Sequence, residues 1–265
     1  MSKLKAALAV LILVLLVSPP AFAQESSSAA KEPEPAAKKT ESDNTGADNW
    51  EFSLGPMYVW LIAHNADITV KGNDVDGDVS YGNVFDDTNG GLVFEFEAVR
   101  KQSWGFFAGF NYIELNPEDK NTDIEFEQIL GEAAAFYRLI EGDLIIDGFG
   151  GVRYSQMDIE LDTPSGQKSP DQRKDWIDPI IGLKWKWKFA EKWGTKLRAD
   201  AGGFSIGSKR TFNFVGMLDF KPWQHIGFFG GYRGLYQDYS TGDGGHKFKY
   251  TGWMHGPLLG LNITW

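Results

Sequence analysis

The segment Asp178-Pro-Ile-Ile-Gly-Leu-Lys-Trp-Lys-Trp-Lys188 decides how this chain is read. Pro179, Ile181, Leu183, Trp185 and Trp187 occupy every second position, and Asp178, Ile180, Gly182, Lys184, Lys186 and Lys188 fall between them. A period of two belongs to an extended strand, whose successive side chains point to opposite faces. One face is apolar and bulky, and the other carries charge.

The same beat recurs on both sides of this segment. Trp50, Phe52, Leu54, Pro56, Tyr58, Trp60 and Ile62 alternate and predict one continuous apolar face. So do Leu92 to Ala98, Trp104 to Tyr112, Ile146 to Tyr154, Leu197 to Ala201, Phe212 to Phe220, Ile226 to Tyr236 and Pro257 to Trp265. Glu127–Leu139 has helical spacing at Ile129, Ala133 and Phe136, but Ile129, Ala133, Ala135, Tyr137 and Leu139 also alternate. It reads as a strand because it lies between strands and ends in a tight turn.

Composition bounds the alternatives. The chain has 265 residues, a formal charge of −10, no cysteine, 31 glycines, and 19 Phe, 10 Trp and 9 Tyr. Without cysteine there are no disulfides, thiolate metal sites or cysteine nucleophiles. A pI near 4.9 argues against nucleic acid as a partner, because phosphate contacts need clustered Lys and Arg. A mean hydropathy of −0.30 is too polar for a bundle of membrane helices. High glycine and aromatic content on a polar average fits a membrane barrel, which shows lipid only every second residue. A secreted soluble barrel, with its apolar face inward, is the other arrangement that alternation allows.

The first residues favour the envelope. Lys3 and Lys5 precede an apolar run from Ala6 to Val17, then Ser18-Pro19-Pro20 and Ala21-Phe22-Ala23. This reads as a signal peptide over 1–23, too short for a membrane span. Its removal makes the remaining chain two units more negative. Residues 24–49 are rich in Ser, Ala, Pro, Glu and Lys and read as a disordered periplasmic linker. The barrel is expected over 50–265.

The connections alternate in length. Those centred on Lys101-Gln102, Glu141-Gly142, Ala190–Lys192 and Lys221–Gln224 are short and are expected in the periplasm. Those at His64–Gly90, Asn116–Thr122, Leu161–Asp175, Gly207–Arg210 and Ser240–Lys247 are expected outside the cell. The fold class is therefore all-β: a single antiparallel transmembrane β-barrel of about ten strands, within roughly 8 to 12, in the bacterial outer membrane. Leu261, Ile263 and Trp265 alternate up to the last residue and are expected to act as the C-terminal assembly signal.

Asp147, Arg153, Asp178, Lys184, Lys186, Arg198, Asp200 and Arg233 lie on the non-apolar register and are the charged residues expected to face the lumen. Phe107, Phe149 and Phe229 share that register and fit a polar lumen poorly. Trp185, Trp187, Trp223 and Trp253 lie near strand ends and suit an interfacial girdle.

Stretches Trp176–Gly182 (WIDPIIG), Asp200–Ser208 (DAGGFSIGS), Gly231–Tyr239 (GYRGLYQDY) and Gly256–Trp265 (GPLLGLNITW) carry a resemblance, with Val75–Ser80 and Gly151–Tyr154 in keeping with it. On these the chain, from Trp50 to Trp265, resembles a family of small, largely uncharacterised bacterial outer-membrane β-barrels. The resemblance implies fold and location, and no substrate.

Motif chemistry is sparse. Asn73–Asp78 (NDVDGD) suggests a calcium loop, but setting Gly77 sixth puts Gly72 first and Asn83 last, which are not the required ligands. Gly202–Lys209 (GGFSIGSK) reverses the Lys-Ser order of a phosphate-binding loop. His64, His225 and His246 are placed at loops or turns, and His255 on a strand's apolar face, so no nucleophile–base pair assembles. No metal or cofactor is expected. The reading is a non-catalytic barrel with a structural or surface-interaction role. A narrow porin-like channel for ions or small solutes is the alternative, and an outer-membrane enzyme the next. The partners expected are outer-membrane lipid, lipopolysaccharide and the barrel-assembly machinery.

Overall fold

The computed structural model describes residues 50–264, apart from 71–72, 77, 79–89, 101–102, 116–117, 120–121 and 163–172. The expected leader, linker and Trp265 lie outside the described residues. In chain order the strands are β1 (Trp50–Leu61), β2 (Ala63–Val70), β3 (Asn73–Asp76), β4 (Gly90–Arg100), β5 (Trp104–Leu115), β6 (Glu118–Asp119) and β7 (Thr122–Ile140). They continue with β8 (Leu144–Asp162), β9 (Lys174–Lys188), β10 (Trp193–Gly202), β11 (Arg210–Phe220), β12 (Ile226–Thr241) and β13 (Phe248–Thr264).

Ten of these form a ring in the order β1-β4-β5-β7-β8-β9-β10-β11-β12-β13, closed by antiparallel pairing of β13 with β1. Closure leaves no edge with unpaired backbone groups, a requirement for a strand-built wall in lipid. β2 carries the wall upward from β1 and stays paired to β13, and β3 folds back on β2. The segment Glu127–Leu139 lies within β7, so tertiary pairing on both edges overrides its helical spacing.

At one end the strands follow one another within a few residues, β4 ending at Arg100 and β5 starting at Trp104, with further short connections at Glu141–Asp143, Phe189–Lys192 and Lys221–His225. At the other, β12 and β13 are joined by Gly242–Lys247, and β10 and β11 by Gly203–Lys209. Arg210 thus opens β11, where a loop over Gly207–Arg210 was expected. The loop expected from His64 starts later, because Ala63–Val70 continues the wall as β2.

The outer surface is apolar. Phe94, Phe106, Ile181, Leu183, Phe214, Leu218 and Phe228 are all exposed on it, at every second position of their strands. Exposed apolar side chains on every wall are what a bilayer requires, and on a water-facing barrel they would be an aggregation surface. Inside, the partners on the other register are buried and include many charged groups.

Two expectations about faces are corrected. The alternation from Trp50 to Ile62 is not one face. The register slips between Leu54 and Met57, which pair with Ile263 and Leu261. This β-bulge contains Gly55 at φ +138, where an added Cβ would come within 2.9 Å of Asn262 Oδ1. The extra residue swaps the faces, so Tyr58, Trp60 and Ile62 point into the barrel and are buried. Second, the lumen is not polar throughout. Toward the long-connection end it is packed with apolar side chains, among them Trp60, Leu130, Trp176, Leu235 and Phe248.

Candidate functional site

The lumen is the candidate site, and it is layered. Nearest the short turns, Glu97 of β4 holds Lys184 and Lys186 of β9, the latter at 2.6 Å. Asp147 accepts from Arg138 at 2.9 Å across β7 and β8. Lys196 and Asn262 both donate to Asp219 Oδ1 at 2.9 Å.

The next layer is a branched ion-pair network. Glu132 accepts from Arg153 Nε at 2.7 Å and from Arg198 Nη2 at 2.6 Å. Asp200 accepts from Arg153 Nη2 at 2.7 Å, Arg198 Nε at 3.2 Å and Asn213 at 2.9 Å. Arg198 Nη1 also donates to Glu95 Oε2 at 3.1 Å. A buried charge is tolerated only when paired and hydrogen-bonded, and each arginine here meets at least two carboxylates.

Arg233 sits beside this network on neutral partners. It donates to Asn213 at 3.1 Å and to the Tyr58 hydroxyl at 3.0 Å, and also to Asn111. Its guanidinium lies 4.6 Å from the Trp60 ring centroid. The bulge at Gly55 is what brings Tyr58 and Trp60 to it.

Phenylalanines on the charged register have a role in this arrangement. Lys184 Nζ lies 4.3 Å from the ring centroids of both Phe107 and Phe136. Arg198 lies 4.9 Å from Phe107 and 5.0 Å from Phe149. These faces give cations a favourable contact without a second full charge. Phe229 instead packs edge-on against Tyr58, with centroids 6.0 Å apart.

Bridges cross the lumen from wall to wall. In the ten-strand ring, β4 and β10 are five places apart, so the Arg198–Glu95 pair spans the barrel. β7 and β12 are also five apart, and Gln128 Nε2 donates to Gln237 Oε1 at 2.6 Å. Gln237 in turn donates to Ser155 Oγ at 3.2 Å. Above lies an aromatic layer in which Trp176 stacks on Tyr239 with centroids 4.0 Å apart. His64 meets Tyr250 there, Nε2 to hydroxyl at 2.8 Å, so this histidine is on a strand and fully buried. Below the network, toward the short turns, is a cavity of about 530 Å³ lined by Glu97, Lys186, Lys196, Asp219, Lys221 and Asn262.

Asp178 stands apart from the network. Its carboxylate accepts from Ser208 N at 2.6 Å, Ser208 Oγ at 2.8 Å and Trp176 Nε1 at 3.0 Å. A protein carboxylate therefore occupies the place an anion would take in the GGFSIGSK turn. Of the eight charged residues expected inside, Arg153, Arg198 and Asp200 share the central network, Lys184 and Lys186 share Glu97, and Asp147, Asp178 and Arg233 have separate partners. Glu95, Glu97 and Glu132 were not singled out from the sequence, although each lies on the inward register of its strand.

On the outer face, Trp185, Trp187 and Trp223 are exposed near the short-turn end, and Trp253 is exposed toward the other. Leu261 and Ile263 are half-buried on the closing strand, opposite Phe228 and Ile226 of β12. Among the described residues, no group of three or more metal-ligating side chains is gathered.

A solved structure shares the architecture. The outer membrane protease OmpT from Escherichia coli aligns over 84% of this chain and 100% of its own, with a TM-score of 0.52 and 8% identity. The chain has the fold of an outer-membrane β-barrel. Ail, the attachment invasion locus protein of Yersinia pestis, aligns over 81% of this chain and 99% of its own, with a TM-score of 0.40 and 13% identity. OprG from Pseudomonas aeruginosa aligns over 82% and 95%, with a TM-score of 0.35 and 13% identity. No family model and no curated protein sequence matches the chain.

Proposed function

We propose that this barrel is a non-catalytic envelope protein with a closed lumen and a structural or surface-interaction role. The observation that carries this is the pair of wall-to-wall bridges, Arg198–Glu95 and Gln128–Gln237, under the aromatic layer of Trp176 and Tyr239. Eight strands are just filled by side chains and 16–18 leave an aqueous channel. Ten strands leave little room, and here long side chains reach across it. The two strand histidines bond tyrosine hydroxyls, His64 to Tyr250 and His255 to Tyr232 at 2.7 Å. The protease activity in the name of the Escherichia coli neighbour belongs to that protein.

In this reading the short turns lie in the periplasm and the long connections outside the cell. The apolar belt contacts outer-membrane lipid and lipopolysaccharide, and the final strand engages the barrel-assembly machinery. Planar-bilayer recording of the purified barrel tests the closed lumen. The expected result is a silent bilayer. Reproducible unitary conductance, with ion selectivity altered by Lys184→Glu, would establish the channel reading instead, with the cavity above Lys221 as its entrance.

A further inference from the structure

The outer aromatic row at the long-connection end is interrupted. Phe212 of β11 lies opposite Tyr236 of β12, and Tyr236 opposite Trp253 of β13. Beyond Phe212 the register leads to Ala201 on β10, Ile181 on β9 and Gly150 on β8, none of them aromatic. The turn Gly203–Lys209 sits over this gap. Gly203 N donates to Pro179 O at 3.1 Å, and a Cβ on Gly207 would come within 2.3 Å of the Ile177 carbonyl oxygen. Phe204 and Ile206 at its tip are 56% and 75% exposed, and Ile177, against which Gly207 lies, is exposed as well.

The tip is built rather than loose. Gly203, Phe204 and Ser205 adopt φ of +86, +47 and +62, three left-handed residues in a row. Such positions normally go to Gly, Asn or Asp, which suit a water-facing turn. Here two of the three are held by internal bonds, Ser205 N to Ser208 O at 3.1 Å and Ile206 N to Gly203 O at 2.9 Å. Ser208 anchors the whole turn on the buried Asp178 carboxylate. The result holds two apolar side chains exposed just beyond Ala201, where the outward register of β10 ends. Two exposed cations follow at once, Lys209 and Arg210; Arg210 Nε donates to Asp238 Oδ2 at 3.2 Å, which holds its guanidinium 5.8 Å from the Tyr236 ring centroid with the rest of the group exposed.

We propose that this turn is a lipid-docking element. Phe204 and Ile206 enter the leaflet at the long-connection end and complete the interrupted girdle. Lys209 and Arg210 bind the phosphate of a lipid headgroup in the same leaflet. Continuity with the belt selects a lipid as occupant, and the pair of cations selects an anionic one.

The absence of cysteine makes the test clean, since one introduced thiol is unique. The full barrel bearing Ile206→Cys with a nitroxide is reconstituted in phosphatidylcholine vesicles. Gly245→Cys, an open position where a Cβ meets nothing within 4 Å, serves as the water-exposed reference. The label at 206 should relax with oxygen, which concentrates in lipid, and the label at 245 with a water-soluble nickel chelate. Spin-labelled phosphatidic acid should then show a larger motionally restricted fraction than spin-labelled phosphatidylcholine. Lys209→Gln, alone or with Arg210→Gln, should remove that excess while heat-modifiable gel migration is retained. Equal nickel relaxation at 206 and 245 overturns the proposal. So does an absence of preference for phosphatidic acid, or a preference the variants leave unchanged.

Discussion

Replacing Glu132 with Gln keeps the shape of the side chain and removes its charge. In the native layer its two oxygens serve two guanidiniums, Arg153 at 2.7 Å and Arg198 at 2.6 Å. A glutamine offers one acceptor and one donor, so one arginine faces an NH2 group. Arg153 is fully buried and the Arg198 side chain only 13% exposed, so water replaces little of the loss. One such contact at an effective dielectric near 20 amounts to about 4 kcal/mol at 4 Å, most of it offset by desolvation. Breaking a buried pair from one side costs about 3–5 kcal/mol. Both arginines keep Asp200, and Arg198 keeps Glu95, which places the expected loss at the low end, about 3 kcal/mol. Urea unfolding in vesicles, followed by tryptophan fluorescence and by heat-modifiable migration, should show a lower midpoint at unchanged slope. The double variant Glu132→Gln/Arg198→Gln should be more stable than the sum of its singles by about 1 kcal/mol or more. Additivity within about 0.5 kcal/mol would refute the network as a coupled unit.

Other perturbations probe separate parts of the wall. Leu183→Arg puts a charge on the lipid face at mid-wall and should cost about 2–4 kcal/mol in the same unfolding assay. Gly256→Ala places a Cβ within 1.8 Å of the Leu61 carbonyl oxygen, at the closing seam. It should destabilise the barrel by about 3 kcal/mol and reduce the heat-modifiable fraction, and a neutral result would contradict the seam geometry. Trp60→Ala removes a fully buried ring and the face on which Arg233 lies. A loss of about 3–5 kcal/mol is expected, with unfolding again the readout.

The strands after Ile140 were legible because their two registers differ strongly in character. Trp185 and Trp187 against Lys184 and Lys186 mark two distinct faces, while the leader and the alternating connection lengths were what pointed the apolar one to lipid. The first strand was misread because a single inserted residue changes the parity. Nothing in the run from Trp50 to Ile62 marks Gly55 as a bulge until its partners Leu261 and Ile263 are in place. The apolar half of the lumen was hidden for a related reason. Ile113 and Leu130 face inward beside the outward Tyr112 and Ile129, so both registers look alike there. His64 was placed in a loop because β2 is short and its support comes from β13, 186 residues away at the Tyr250 bond. The acids of the network were overlooked individually. Glu95 and Glu97 lie among aromatics, and Glu132 lies in the stretch with helical spacing. Their significance depends on which cations stand across the barrel, and that is set by closure.

The distribution of charge along the chain bears on how the wall comes to be completed. Among the described inward groups below Trp176 that are buried or half-buried, strands β1 to β8 contribute four carboxylates, Glu95, Glu97, Glu132 and Asp147, against Arg138 and Arg153. Strands β9 to β13 contribute five cations, Lys184, Lys186, Lys196, Arg198 and Arg233, against Asp178, Asp200 and Asp219. An unclosed sheet is therefore bipolar, acid-rich in the first half and base-rich in the second. Its two halves attract each other, and the attraction strengthens as the interior fills with side chains and its effective dielectric falls. The partners lie far apart in sequence, so the attraction is satisfied only when the curl is complete. The buried charges thereby favour the cylinder over the open ribbon, and the N-terminal half would be left with excess negative charge if the second half failed to arrive.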